Sequence, residues 1–257
     1  MEDNILVLQS GHLGDMIYSL SAAKKASQTY NKQIHFMIGF KEPNTVPGHP
    51  SGKMCMNDET YNYIKPLLEF QPYIAKVSKH NGEQVHMNFD AFRHIGLNLA
   101  AGDLRMAHGY VYPETQSDLS IGALMAPENK LDNLSDKIVI NLSTRYRTPS
   151  LNYAILEPIQ DKIVFVGLDD EYNKFRLGYG FHPKRMHVKD ALHMAQIISS
   201  AKLFIGNQSS TFAIAEQLKV PRLLEVHNRC PNVIPMGGEG YYYQTTEGLS
   251  RLIQKFL

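Results

Sequence analysis

Tryptophan is absent from this chain of 257 residues, and its cysteines are limited to Cys55 and Cys230. Two cysteines cannot build the disulfide framework of a small secreted protein, and no Cys-x-x-Cys spacing predicts a zinc or redox site. No segment approaches the roughly 18 apolar residues of a membrane helix. The start MEDNILVLQSGHLGD lacks the features of a secretory signal or a transit peptide. We therefore expect a soluble, cytoplasmic protein without a transmembrane segment.

The chain also lacks an excess of either charge. Its 26 Lys and Arg residues face 25 Asp and Glu residues, so the net charge is +1. Such a balance provides no field for non-specific binding to nucleic acid or to a membrane surface. Any anion site must therefore be local and built from a few donors.

Several catalytic motifs are missing. There is no G-x-x-x-x-G-K-[ST] loop and no third glycine of a G-x-G-x-x-G turn, so neither a P-loop NTPase nor a dehydrogenase is supported. The G-x-S-x-G elbow of many hydrolases is absent as well. The 11 histidines form no H-E-x-x-H motif and no Cys/His cluster, so we predict no metal site.

Short apolar runs alternate with helical patterns along the whole chain. Continuous apolar runs are typical of strands that are covered on both faces of a parallel sheet. The predicted strands are residues 5–8, 34–40, 74–77, 85–89, 137–142, 162–168, 202–207 and 222–226. The predicted helices are the segment after residue 11 and residues 58–70, 97–107, 151–159, 169–175, 190–201 and 209–219.

This alternation predicts an α/β protein with two Rossmann-like, doubly wound domains that face each other across a cleft. Proline and glycine make residues 41–52 an exposed loop. Breaker residues dominate 112–136, where the domain boundary is placed. The predicted domains are residues 1–125 and residues 126–257.

The turn from Gly206 to Thr211 carries the clearest local signal. An apolar strand ends at Gly206 and Asn207, and the small hydroxyl residues Ser209, Ser210 and Thr211 open the next helix. Free N–H groups and the helix dipole make such a helix start a site for a phosphate group. Simple capping of the helix by the serines is the equal alternative.

Charged side chains follow two other strands of the second half. Arg145 and Arg147 lie after the strand 137–142, at the edge where open α/β sheets bind ligands, and could hold a diphosphate. Glu225 ends an apolar strand, where ribose hydroxyls could serve as its partners. The alternatives are solvated arginines and a salt bridge from Glu225 to Arg222 or Arg229.

The first strand leads into the turn that contains Gly11, His12, Gly14 and Asp15. A carboxylate in the first turn of a helix is favoured by the dipole, so Asp15 is explained by helix capping alone. The functional alternative is a general base that faces the second domain across the cleft.

With these motifs, the chain resembles the heptosyltransferase-like family of GT-B glycosyltransferases (glycosyltransferase family 9). The N-terminal likeness lies in ILVLQSGHLGDMIYSLSAAKKA, with its strand, Leu-Gly-Asp turn and first helix. The C-terminal likeness lies in HMAQIISSAKLFIGNQSSTFAIAEQLKVPRLLEV. The two segments occur in the order and spacing of the family.

The resemblance implies roles for the residues already singled out. Asp15 would be the base that activates the acceptor hydroxyl, with Gly11, His12 and Gly14 on the acceptor side. The donor-side residues implied are Gly206, Asn207, Ser209, Ser210 and Thr211 for the diphosphate, Glu225 for ribose, and Arg145 or Arg147 as the basic residue after the strand.

The function implied is transfer of a hexosyl or heptosyl group from a nucleotide diphosphate sugar to a glycan or another hydroxyl acceptor. It would need neither a metal nor a further cofactor, and domain closure would exclude water. The turn Asn207-Gln208-Ser209-Ser210 stands where the family has Asp-Ser-Gly-Pro. This altered turn motivates one alternative, an inactive nucleotide-sugar-binding module. The other is a nucleotide-sugar epimerase or hydrolase, which shares the two-domain cleft and the phosphate site.

Overall fold

A computed structural model describes residues 4–47 and 49–257. The first half of the chain forms a four-stranded parallel sheet in the order β3-β2-β1-β4. Its strands are β1 (Ile5–Gln9), β2 (Ile34–Ile38), β3 (Ile74–Lys79) and β4 (Met87–Asn88). Helix α1 (Leu13–Tyr30) connects β1 to β2, and helix α2 (Asp58–Glu69) precedes β3.

The second half forms a six-stranded parallel sheet in the order β10-β9-β8-β5-β6-β7. Its strands are β5 (Ile138–Asn141), β6 (Ile163–Phe165), β7 (Lys184–Arg185), β8 (Leu203–Asn207), β9 (Arg222–Glu225) and β10 (Gly240–Tyr243). Its helices are α3 (Asp169–Tyr179), α4 (Ala191–Ser200), α5 (Ser210–Leu218) and α6 (Thr246–Ile253). The strand order reverses between β5 and β8, as in a Rossmann fold.

Short 3₁₀ helices lie in the connections of both halves: Ala91–His94, Leu104–Tyr110, Pro113–Thr115, Asp132–Leu134 and Tyr153–Lys162. None of the helices formed by the described residues has the length and apolar character that crossing a membrane requires.

The predicted fold class is confirmed, because two doubly wound parallel sheets are present. Strands β2, β5 and β8 are buried at every position, as their continuous apolar runs predict. The domain boundary at residue 125 stays a prediction. It falls in the connection between β4 and β5, where the described residues change from one sheet to the other.

Three local predictions were wrong. The helix predicted over residues 97–107 is a 3₁₀ helix, Leu104–Tyr110, because Gly96 and Gly102 adopt positive φ angles of 74° and 83° that interrupt an α-helix. The helix predicted over residues 151–159 is likewise a 3₁₀ helix, Tyr153–Lys162, with Pro158 inside it. The loop predicted over residues 41–52 is not simply exposed, because Ser51 is 6% exposed and lines a cavity. Gly48 lies outside the described residues. Strands β7 and β10 and helix α6 were missed, since they have short or weakly apolar sequences.

Helix α1 of the first half packs directly against helix α5 of the second half. Gln217 of α5 is 1% exposed and donates hydrogen bonds to the Ile17 carbonyl oxygen at 3.2 Å and to Ser21 Oγ at 2.9 Å. These buried polar contacts between α1 and α5 are satisfied, so they fix the separation and rotation of the two helices.

The neighbouring Glu216 is fully buried and lies at the centre of a charged network. Its carboxylate pairs with Arg105 of the first half, with Arg222 Nε at 2.5 Å and with Lys219. Because each buried charge has an opposite partner, the network is tolerated inside the interface. It ties the 3₁₀ helix Leu104–Tyr110 to α5 and β9.

We expect Glu216→Gln to lower the free energy of unfolding by about 3 to 5 kcal/mol, because buried Arg222 loses its counter-charge and Arg105 keeps only that of Asp103. Urea denaturation measures this change. Glu157→Gln, at an exposed position, is the matched control and should stay within about 0.5 kcal/mol of the parent. A loss below about 1 kcal/mol for Glu216→Gln would show that the network does not hold the interface.

Candidate functional site

A cavity of about 1310 Å³ lies between the carboxyl edges of the two sheets. In each sheet it opens beside the point where strand order reverses, next to β1 in the first sheet and between β5 and β8 in the second. Ligands of open α/β sheets bind at such points. The predicted site residues that line this cavity are His12, Gly14, Asp15, Arg145, Ser209, Ser210 and Thr211.

The amino ends of α1 and α5 meet at this cavity. A Cβ atom on Gly14 would lie 3.9 Å from the backbone nitrogen of Ser210, so the two helix starts lie close together. Each helix start carries N–H groups without intrahelical acceptors and a partial positive charge. Their convergence favours an anion in the space that both starts border.

Ser209 is the N-cap of α5, because its Oγ accepts a hydrogen bond from Phe212 N at 3.2 Å. The capping alternative is therefore right for this side chain. It does not exclude the anion alternative, since Ser210 and Thr211 occupy the first turn and line the cavity. Their backbone N–H groups have no acceptor within the helix.

Gly206 and Asn207 lie behind the cavity wall. Asn207 is fully buried, and its side chain accepts from Ser143 N at 2.9 Å and donates to the carbonyl oxygens of Ser143 and Arg145. A Cβ atom on Gly206 would lie 2.7 Å from the Phe204 ring. In this structure the two residues shape the strand end and hold the loop that carries Arg145.

Arg145 supplies an uncompensated positive charge to the cavity. It is partly buried, and the described residues give its guanidinium no ion-pair partner. The following Tyr146 has a φ of 50°, an unfavourable backbone conformation for a bulky residue. This strained turn and the hydrogen bonds of Asn207 place Arg145 at the cavity wall.

Arg147 and Glu225 pair with each other instead. Arg147 Nε lies 3.0 Å from Glu225 Oε2, and its Nη2 donates to Tyr179 Oη at 3.0 Å. Glu225 is 0% exposed and also accepts from Tyr153 Oη at 2.7 Å. Its ion-pair partner is therefore Arg147, and not Arg222 or Arg229 as considered from the sequence. A ribose contact stays a prediction, and this arrangement offers no oxygen of Glu225 to the cavity.

Asp15 forms an ion pair with Arg93, a residue that the sequence analysis missed. Asp15 Oδ2 lies 2.6 Å from Arg93 Nη2, and both side chains line the cavity. Arg93 is on the 3₁₀ helix Ala91–His94 after β4, in no motif, so only the folded chain brings it to Asp15. The pair orients the Asp15 carboxylate.

Gly11 provides the space for this ion pair. A Cβ atom at Gly11 would overlap the Arg93 guanidinium and lie 2.9 Å from Asp15 Oδ2. The glycine is therefore needed for packing, and it acts on the cavity through the two charged side chains.

His12 forms an uncharged cluster with two residues of the loop after β2. Its ring lies 4.1 Å from that of His49, and its Nε2 lies 3.6 Å from Cys55 Sγ. Burial lowers the pKa of His12, and burial together with Arg145 lowers that of His49 to about 4. Burial raises the pKa of the Cys55 thiol to about 11. At neutral pH the cluster therefore supplies neither a cation nor a thiolate.

Across residues 4–47 and 49–257, no group of three or more His, Cys, Asp or Glu side chains is arranged to hold a metal ion.

His108 packs beneath the Asp15 and Arg93 pair. It is 2% exposed, and its ring lies 4.9 Å from that of Phe89 and 5.1 Å from that of Phe92. Burial lowers its pKa to about 4. The imidazole is therefore neutral in the folded protein throughout the neutral range.

Acidification should destabilise the protein through His108. The unfolded chain takes up this proton near pH 6.5 and the folded chain only near pH 4, so stability is complete above pH 6.5 and falls as the pH drops towards 4. We expect His108 to account for a loss of about 3 kcal/mol over that range. Urea denaturation at several pH values should show a weaker pH dependence for His108→Met. The exposed His94→Met is the control, and an unchanged pH dependence in His108→Met would contradict the assignment.

No protein-family model matches this chain, and no curated protein shows a significant sequence match. Similar solved structures do exist. One is the glycosyltransferase family 9 protein of Veillonella parvula, which is 12% identical with a TM-score of 0.65 and aligns over 100% of this chain and 91% of its own.

Two Escherichia coli structures are similar as well. The ADP-heptose lipopolysaccharide heptosyltransferase II is 14% identical, with a TM-score of 0.58 and coverage of 98% of both chains. Heptosyltransferase WaaC, in complex with ADP-2-deoxy-2-fluoro heptose, is 12% identical, with a TM-score of 0.56 and coverage of 98% of this chain and 99% of its own. The predicted GT-B fold is thereby confirmed.

Proposed function

We propose that this protein is a metal-independent glycosyltransferase that moves a hexosyl or heptosyl group from a nucleotide diphosphate sugar to a hydroxyl acceptor. The observation that carries the proposal is one cavity in which two helix amino ends and the unpaired Arg145 face the carboxylate of Asp15. The glycosyltransferases that share this fold support it. The free thiols of Cys55 and Cys230 suit a reducing compartment such as the cytoplasm.

The donor diphosphate would bind at the helix starts. The first N–H groups of α5, at Ser210 and Thr211, would donate to its oxygens, and Arg145 would bind them with charge-assisted hydrogen bonds. When the bond between the sugar and the diphosphate breaks, negative charge grows on the leaving group. These donors are already in place, so they stabilise that charge without reorganisation.

Asp15 would act on the acceptor. Arg93 holds its Oδ2 at 2.6 Å, and the described residues give Oδ1 no hydrogen-bond partner. That oxygen would take the proton of the acceptor hydroxyl as its oxygen attacks the anomeric carbon. The new glycosidic bond forms as the bond to the diphosphate breaks, and the proton stays on Asp15 until it passes to solvent.

Asp15→Asn should lower kcat by about 10²- to 10⁴-fold, because the amide cannot take up the acceptor proton. The dissociation constant of the donor should change little, since the proposed contacts to the diphosphate come from Ser210, Thr211 and Arg145 and not from Asp15. Rates are measured by release of the nucleoside diphosphate. Asp136→Asn, an exposed position, is the control. Wild-type turnover by Asp15→Asn would refute the base assignment.

Variants of Arg145 and Arg147 should give different results in a thermal-shift screen with ADP, UDP, GDP and their sugar conjugates. A ligand at 100 times its dissociation constant stabilises the folded protein by about 2.7 kcal/mol. Arg145→Met should weaken that binding about 10- to 100-fold and leave the ligand-free stability nearly unchanged, because one charge-assisted contact is lost. Arg147→Met should lower the ligand-free stability, since buried Glu225 loses its partner, and keep the shift caused by the ligand. The reverse pattern would place the diphosphate at Arg147.

Product analysis with the donor alone distinguishes the alternative functions. Free sugar or an epimerised donor would identify a hydrolase or an epimerase. Binding of the donor without turnover over a broad acceptor panel would identify a binding module.

A further inference from the structure

The two walls of the cavity differ in their balance of charge. From the second half, the cations Arg145, Arg185 and Lys189 and the carboxylates Asp169, Asp170 and Glu171 line the cavity in equal number. On the side of the first half, the cavity-lining charged side chains are Asp15, Glu42, Glu59 and Arg93, which we call the acceptor wall. Its carboxylates outnumber its cation, although the net charge of the chain is only +1.

Arg93, the one cation of the acceptor wall, lies near several carboxylates that balance its charge. Arg93 pairs with Asp15 at 2.6 Å and lies 3.8 Å from Asp90 Oδ1. Burial opposes its charged form, yet three nearby carboxylates raise the pKa of this guanidinium. They belong to Asp15, Asp90 and Glu42. Three carboxylates therefore lie near the one guanidinium of the acceptor wall, and two of them, Asp15 and Glu42, line the cavity.

The histidines of this region do not restore positive charge. His12 and His49 both have lowered pKa values, as a result of burial and of nearby Arg145 among other groups. Both imidazoles are neutral at pH 7. An anionic group beside the reacting hydroxyl would lie close to carboxylates of its own sign, and a juxtaposition of like charges opposes binding.

The other polar groups of this side suit sugar hydroxyls. Asn62 and Tyr63 line the cavity with Glu42 and Glu59, whereas the side chains of Asn57 and Thr60 form the capping box of α2. Amide and hydroxyl groups can both donate and accept hydrogen bonds, and carboxylates accept them from hydroxyl groups. The tyrosine ring adds an apolar surface with a polar end.

We infer that the acceptor is a glycan whose reacting end carries no phosphate or carboxylate group, and that Glu42 is the residue that rejects such groups. The inference rests on the proposed function for the role of the acceptor wall. Specificity of this kind comes from a repulsive element as much as from attractive contacts.

Binding of paired sugars by ligand-observed NMR tests this inference without any need for turnover. The full-length protein, with the nucleoside diphosphate that stabilises it most, is titrated with the methyl glycosides of glucose, galactose and N-acetylglucosamine. Each is compared with its 6-phosphate. The glucoside and the galactoside are also compared with their 6-carboxylates. We expect at least one neutral glycoside to bind at least 10-fold more tightly than its anionic counterparts.

Glu42→Gln should reduce this preference and Glu42→Lys should reverse it, whereas Glu157→Gln, at an exposed position outside the cavity, should retain it. Tighter binding of the anionic member of a pair, or binding of none of the neutral glycosides, would overturn the inference. A neutral preference that persists unchanged in Glu42→Lys would overturn the role of Glu42.

The donor assay distinguishes failure of this inference from failure of the proposed function. If anionic acceptors are preferred while the donor binds and transfer proceeds, the inference about the acceptor is rejected and the proposed glycosyltransferase activity is kept. A neutral preference in a protein that neither binds nor turns over nucleotide sugars would reject the transferase and keep the charge selection.

Discussion

The packing of α1 against α5 is the constraint on which the rest of the structure depends. The first turn of α1 lies close to Ser210 at the start of α5, and Gln217 fixes the two helices further along with buried hydrogen bonds. The amino ends of one helix from each half therefore lie beside both sheet edges. As a result, the Asp15 carboxylate and the first N–H groups of α5 border the same cavity.

The same contact limits how the halves can move. Opening the cavity by rotation about the interface would separate Glu216 from Arg105, both of which are at most 3% exposed. Such a motion would break one buried ion pair, while Glu216 would keep Arg222 and Lys219 and Arg105 would keep Asp103. The domain closure expected from the sequence stays a prediction.

The sequence predicts whatever follows directly from local pattern. Asp15, Arg145 and Ser209 were found because each follows a buried strand, and parallel strands bring their carboxyl ends to one edge. Arg93 and Glu42 were missed because they lie in irregular segments and reach the cavity only through tertiary packing. Glu225 was correctly recognised as a buried carboxylate in need of a partner. That its partner is Arg147 depends on how a loop 78 residues away returns over β9, and no local signal contains that information.

The distribution of charge explains how a nearly neutral chain can discriminate between two substrates. A diphosphate needs positive charge over a few ångströms, which two helix ends and one unpaired guanidinium supply without any basic surface. The opposite wall requires a carboxylate that is held in place but not blocked. Arg93 orients Asp15 through one oxygen, and its own charge is offset by Asp90 and Glu42. The wall therefore keeps the carboxylate oriented without becoming an anion site itself. In the proposed reaction, a nucleotide sugar would therefore lie with its diphosphate at the start of α5 and at Arg145, and with its anomeric carbon towards Asp15.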